Sequence, residues 1–126
     1  MRFLKYWLPT LLWAFLIFNI SGRSSIRTTD VYWQDFVLKK TAHFIEYFIF
    51  AILIYRSLKN TTSLSAKKIL ALSFIVTVFY AVSDEFHQSF VPGREPRIRD
   101  ILIDSAGSLT GLIFRFKIGL GLASHT

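Results

Sequence analysis

The sequence predicts an all-α fold: one integral membrane bundle of four transmembrane helices. Three observations carry this. The 126 residues are 52% hydrophobic, and the apolar residues are gathered into long blocks rather than scattered. Mean hydropathy is +0.43, too oily for an ordinary water-soluble domain of this size. The basic residues behind the net charge of +7 sit at the ends of the apolar blocks, where membrane proteins use them as orientation signals and headgroup contacts. No stretch resembles a nucleic-acid-binding module, so the positive charge points to the bilayer as partner and not to nucleic acid. The chain has no cysteine, which excludes disulfides and thiolate metal sites.

A transmembrane helix needs about 20 mostly apolar residues. The first candidate covers residues 4–20, "LKYWLPTLLWAFLIFNI", with Pro9 tolerable near a helix start. A cleavable signal peptide is the rival reading of this segment. The apolar run is long, however, and its end lacks a small-x-small cleavage pattern. The second helix is expected over residues 36–55, the third over 69–90 and the fourth over 98–116. Polar connections fill 21–35, 56–68 and 91–97. In the last of these, Pro92-Gly93 is a type II turn signal, and Pro96 suits the first turn of the fourth helix. Nothing divides residues 1–126 into a second domain.

Orientation follows from lysine and arginine. With the N-terminus inside, the inner side holds Arg2, Lys5, Arg56, Lys59, Lys67, Lys68, Arg115 and Lys117. The outer side holds Arg23, Arg27, Arg94, Arg97 and Arg99, with Lys39 and Lys40 at the outer boundary of the second helix. Eight against seven is a narrow margin. It widens once the two lysines and the arginines of the third connection are assigned to structure or chemistry. The expectation is a multi-pass protein of the cell membrane with both termini cytoplasmic. The start of helix two, the end of helix three and the start of helix four then share one side.

Every histidine and carboxylate inside the expected spans falls in those segments. On helix two, Lys39, His43, Glu46 and Tyr47 are spaced to share a face, with Lys40 alongside. On helix three, Tyr80, Asp84, His87 and Gln88 repeat the pattern, and Glu85 is turned about a quarter-circle away. On helix four, Arg97, Asp100 and Asp104 lead to Gly107-x-x-x-Gly111, a pattern of small residues that lets helices approach closely. A charged residue at a helix centre costs about 2.5–3.5 kcal/mol in the membrane. These groups must pair with one another or line a wet pocket.

Three chemistries suit them. His43 and His87, oriented by Asp84 and Glu85, are candidates for acid–base work. His43-x-x-Glu46 and Asp84-x-x-His87 place a histidine and a carboxylate one helical turn apart, a spacing compatible with metal ligation. Arg94, Arg97 and Arg99 beside the start of helix four suit an anion. Lys40, Glu46, Tyr47, Gln88, Asp100 and Asp104 complete the candidate ligand-binding set. The rival reading is a hydrogen-bonded network that only locks helices together. No hydrolase or phosphate-loop motif occurs, no cofactor is called for, and catalysis stays open.

The string Asp84-Glu85-x-His87-Gln88-x-Phe90-x-Pro92-Gly93-Arg94, followed by Asp100, Asp104, Gly107 and Gly111, resembles the VanZ-like family of small bacterial membrane proteins. Lys40, His43 and Tyr47 are similar to that family's Lys-x-x-His-x-x-x-Tyr segment. Asp104 departs from the asparagine expected there in many relatives. The resemblance implies a role at the cell envelope, since the founding member is associated with low-level resistance to the glycopeptide teicoplanin. An outward-facing polar pocket would then take an anionic, lipid-like, lipid-linked or glycopeptide ligand.

Overall fold

The computed structural model describes residues 2–21, 32–90 and 98–124. Four helices account for nearly all of them: α1 (Arg2–Ser21), α2 (Tyr32–Thr61), α3 (Ala66–Gln88) and α4 (Ile98–Ser124). No strand occurs among the described residues. The described residues are helical apart from short connections, as the apolar blocks predict.

The helices are longer than the hydropathy blocks. α2 continues to Thr61, where the sequence suggests a connection from residue 56. Its last turns keep helical form because their polar side chains bond back to the backbone. Asn60 Nδ2 donates to the Arg56 carbonyl at 2.8 Å, and Thr61 Oγ1 donates to that of Ser57 at 2.6 Å. The same turns dock on α1: the hydroxyls of Thr10 and Ser57 lie 2.6 Å apart, and Trp7 Nε1 donates to Thr61 Oγ1 at 3.0 Å. α3 starts cleanly, because the Ser65 side chain caps it by accepting from the Lys68 N–H at 3.4 Å. Pro9 stands inside α1, which begins at Arg2.

α2 is the central element and packs on the other three helices, most extensively on α4. The α2–α4 contact runs in parallel register, with Gly107 against the Phe44 backbone and Gly111 against that of Phe48. A Cβ placed on Gly111 would meet the Phe48 carbonyl oxygen at 2.5 Å, and one on Gly107 would strike that of Phe44. The two glycines are what let these backbones touch.

Two apolar clusters fill the interior, one of Ile17, Tyr47, Phe50, Ile54 and Ala81, the other of Ala51, Tyr55, Ile69 and Leu112. Beside them the interior is unusually polar: Ser57, Ser73, Thr77, Asp84, Glu85, Gln88, Asp100, Asp104 and Ser108 are all buried. The exterior is the reverse, with Leu11, Phe15, Phe79, Phe86, Leu102 and Ile113 exposed along α1, α3 and α4. Water would penalise such a surface and hydrocarbon would not. Two helices, over Phe3–Ile20 of α1 and Ala66–Gln88, are long and apolar enough to cross a membrane. The buried carboxylates sit on α3, at Asp84 and Glu85, and on α4, at Asp100 and Asp104.

Candidate functional site

The site lies where the first half of α2, the last turns of α3 and the first turns of α4 come together. Its centre is Asp104, whose side chain is 0% exposed. Helical geometry puts Asp104 one turn before Ser108, and the Ser108 hydroxyl donates to the Asp104 carbonyl at 3.1 Å. The close α2–α4 approach holds the Asp104 carboxylate against α2, where Oδ1 stands 3.3 Å from His43 Nδ1. That is an ion-pair contact, but its angles miss those of a hydrogen bond, and neither carboxylate oxygen has a hydrogen-bond partner among the described residues.

α3 brings Asp84 to the same point. One ligating atom from each of His43, Asp84 and Asp104 falls within 4.8 Å of the other two. Asp84 is steadied from its own helix, since Gln88 Nε2 donates to Asp84 Oδ2 at 3.2 Å. Tyr47, one turn after His43, is wholly buried, and its hydroxyl has no hydrogen-bond partner among the described residues. Asp84 and Asp104 are close enough to act on it electrostatically. One turn before His43, the Lys40 ammonium pairs with Asp100 Oδ1, with side chains 23% and 11% exposed. The cluster therefore grades from a sealed centre to a half-open rim.

Other candidates lie around it. Glu46 and Glu85 each bury a carboxylate oxygen, and the Glu46 carbonyl accepts from Trp13 Nε1 at 2.9 Å, tying α1 to α2. His87 is not in the trio: its ring stacks on Phe18 of α1 with centroids 4.2 Å apart. Tyr80 points the same way and donates to the Ala14 carbonyl at 2.5 Å. Arg94 and Arg97, with the Pro92-Gly93 turn, lie outside the described residues; Arg99 is exposed at the start of α4.

Two surface grooves stand apart from this cluster. One, of about 610 Å³, runs along α1 past Leu12, Trp13 and Leu16; the other, of about 330 Å³, lies between α3 and α4 at Leu70, Phe74 and Leu112. Both are apolar, and neither includes a residue of the trio. Sequence spacing does not reveal the Thr10–Ser57 hydroxyl contact, because an uncharged Ser or Thr in an apolar run carries no signal of its own.

Chemically, the centre offers one imidazole nitrogen from a partly exposed His43 and carboxylate oxygens from the buried Asp84 and Asp104. It can orient a proton on His43 or hold a cation. Lys40, paired with Asp100, stands at its rim, and Arg99 is exposed beside Asp100 at the start of α4.

No curated protein and no solved structure matches the chain. The VanZ/LLP1 family model matches residues 4–118, which takes in α1, α2, α3 and most of α4. That match, the two candidate spans and the apolar exterior together make this a membrane protein, and the chain belongs to the VanZ/LLP1 family.

Proposed function

We propose that the chain is a four-span protein of the bacterial cell envelope whose polar cluster engages an anionic or lipid-like headgroup at the outer face, lowering susceptibility to glycopeptides such as teicoplanin. The observation that carries this reading is Asp104, a carboxylate with no exposed surface inside a bundle whose outside is apolar. A fold that needed only helix contacts would be cheaper to build from Gly107, Gly111 and aliphatic packing, because an intramembrane carboxylate costs several kcal/mol unless compensated. Lys40 at the rim and Arg99 at the start of α4, with Arg94 and Arg97 nearby in sequence, supply the cations that would meet a phosphate or carboxylate.

A second reading is an integral membrane enzyme acting on a phosphate- or ester-bearing lipid. The nearness of His43 to Asp104 favours it, since a carboxylate 3.3 Å from imidazole Nδ1, once turned into line with it, would fix the ring for proton transfer at Nε2.

One experiment tests the shared premise. The chain and its Asp84→Asn variant, changed in the buried carboxylate of the same cluster, are expressed in a teicoplanin-sensitive bacterium, and membrane abundance is measured beside the inhibitory concentration. Asn keeps the shape of Asp, so abundance should hold near the unmodified level while protection is lost. Protection that simply follows abundance would reduce the cluster to a structural device.

A further inference from the structure

We infer that His43, Asp84 and Asp104 form a binding site for one divalent first-row transition-metal ion. The site is independent of the headgroup reading above and would exist whether or not the chain affects antibiotics.

The donor geometry comes first. Donors sharing one ion through bonds of about 2.0–2.2 Å stand about 3.0–4.4 Å apart, depending on the angle between them. His43 Nδ1 and Asp104 Oδ1 are 3.3 Å apart, near the edge of a tetrahedron with such bonds. The Asp84 oxygen completes a trio whose members are within 4.8 Å of one another, so side-chain movement of at most about 1.4 Å closes the set on a tetrahedral edge. An imidazole with two carboxylates suits zinc or manganese better than calcium or magnesium, which favour oxygen alone.

A plain His–Asp ion pair is the competing account, and three details count against it. The His43–Asp104 contact is near but misaligned, and no hydrogen bond forms between groups that would both gain from one. The second Asp104 oxygen also lacks a hydrogen-bond partner among the described residues, although the side chain is 0% exposed. The Tyr47 hydroxyl, equally buried, stands beside the two aspartates in the same condition. A single cation would satisfy the Asp104 carboxylate, neither of whose oxygens has a hydrogen-bond partner among the described residues. A water completing its coordination would give the Tyr47 hydroxyl a partner.

The donors come from three helices, one each from α2, α3 and α4. The ion would clamp the polar end of the bundle, and an open coordination position would polarise an oxygen of any ligand that reached it.

The test uses the full chain, purified in mild detergent without a polyhistidine tag, stripped with chelator, re-equilibrated with zinc and freed of unbound ion. Elemental analysis should give one zinc per chain, and the loaded protein should unfold at a higher temperature than the stripped one. Asp84→Asn and Asp104→Asn should each weaken zinc binding by about tenfold or more, whereas Thr110→Ala on the exposed face of α4 should not. X-ray absorption at the zinc edge supplies a readout that needs no variant. The chain has three histidines and no cysteine, so the expected shell is one imidazole with oxygens and no sulfur. Well-folded protein that retains no zinc overturns the inference. So does undiminished affinity in both asparagine variants, or a zinc shell with no imidazole or with two or more.

Discussion

At the scale of single residues, the cluster separates into groups held by geometry and groups held by charge. Lys40 and Asp100 belong to the second kind. They are only partly exposed, so removing one leaves a charge that neither water nor hydrocarbon solvates well. Lys40→Met should therefore destabilise the protein by about 1–3 kcal/mol, and adding Asp100→Leu should recover part of the loss. Thermal unfolding in detergent measures both. Two losses that simply add would mean the pair contributes nothing. The grouping of His43, Glu46 and Tyr47 was legible from helical spacing, as was Asp84 with Gln88. The surroundings of His87 were not. Spacing groups it with Asp84, yet its ring lies on Phe18, and no pattern within α3 tells which side α1 will occupy. Asp100 could be assigned to helix four from sequence, but its pairing with Lys40 depends on the register between two helices.

At the scale of elements, the number and order of helices could be read from the apolar blocks, while their ends could not. Hydropathy stops where polar residues begin, but α2 runs on through Arg56–Thr61, where Asn60 and Thr61 donate back to the Arg56 and Ser57 carbonyls and Ser57 and Thr61 dock on Thr10 and Trp7. The small-residue pattern of α4 was legible as a packing device, and its partner, the Phe44 and Phe48 carbonyls, emerges only in the fold. Gly111→Leu would drive a side chain into a backbone that cannot yield, since both sides of the contact are helix. The expected result is a loss of at least about 1–3 kcal/mol and reduced membrane abundance. Leu109→Ala, on an exposed stretch of the same helix, should leave abundance near the unmodified level. Equal abundance of Gly111→Leu and Leu109→Ala would show that the α2–α4 approach is looser than described.

At the scale of the whole molecule, the question is which way the polar end faces. The two ends of the bundle differ. One gathers the trio with Lys40 and Asp100. The other carries Lys59, Lys67, Lys68, Arg115 and Lys117, with Arg56 over the Tyr6 ring at 4.8 Å and Arg115 over the Tyr55 ring at 5.5 Å. Cations stacked on tyrosines suit a membrane boundary, and with the narrow excess of basic residues at this end they support assigning it to the cytoplasmic side. The polar end should then face outward, where an envelope ligand would meet it. α3 spans the distance between the ends, so its two flanks report orientation directly. Thr62 precedes α3 and Phe90 follows it; both are exposed, and the chain contains no cysteine of its own. Single variants Thr62→Cys and Phe90→Cys can therefore be probed one at a time with a membrane-impermeant thiol reagent. In intact cells Phe90→Cys should label and Thr62→Cys should not, and permeabilising the membrane should make both label. The opposite pattern would turn the cluster toward the cytoplasm and remove it from contact with extracellular glycopeptide. Labelling of both sites in intact cells would mean that α3 does not cross the membrane, and the four-span arrangement would fall with it.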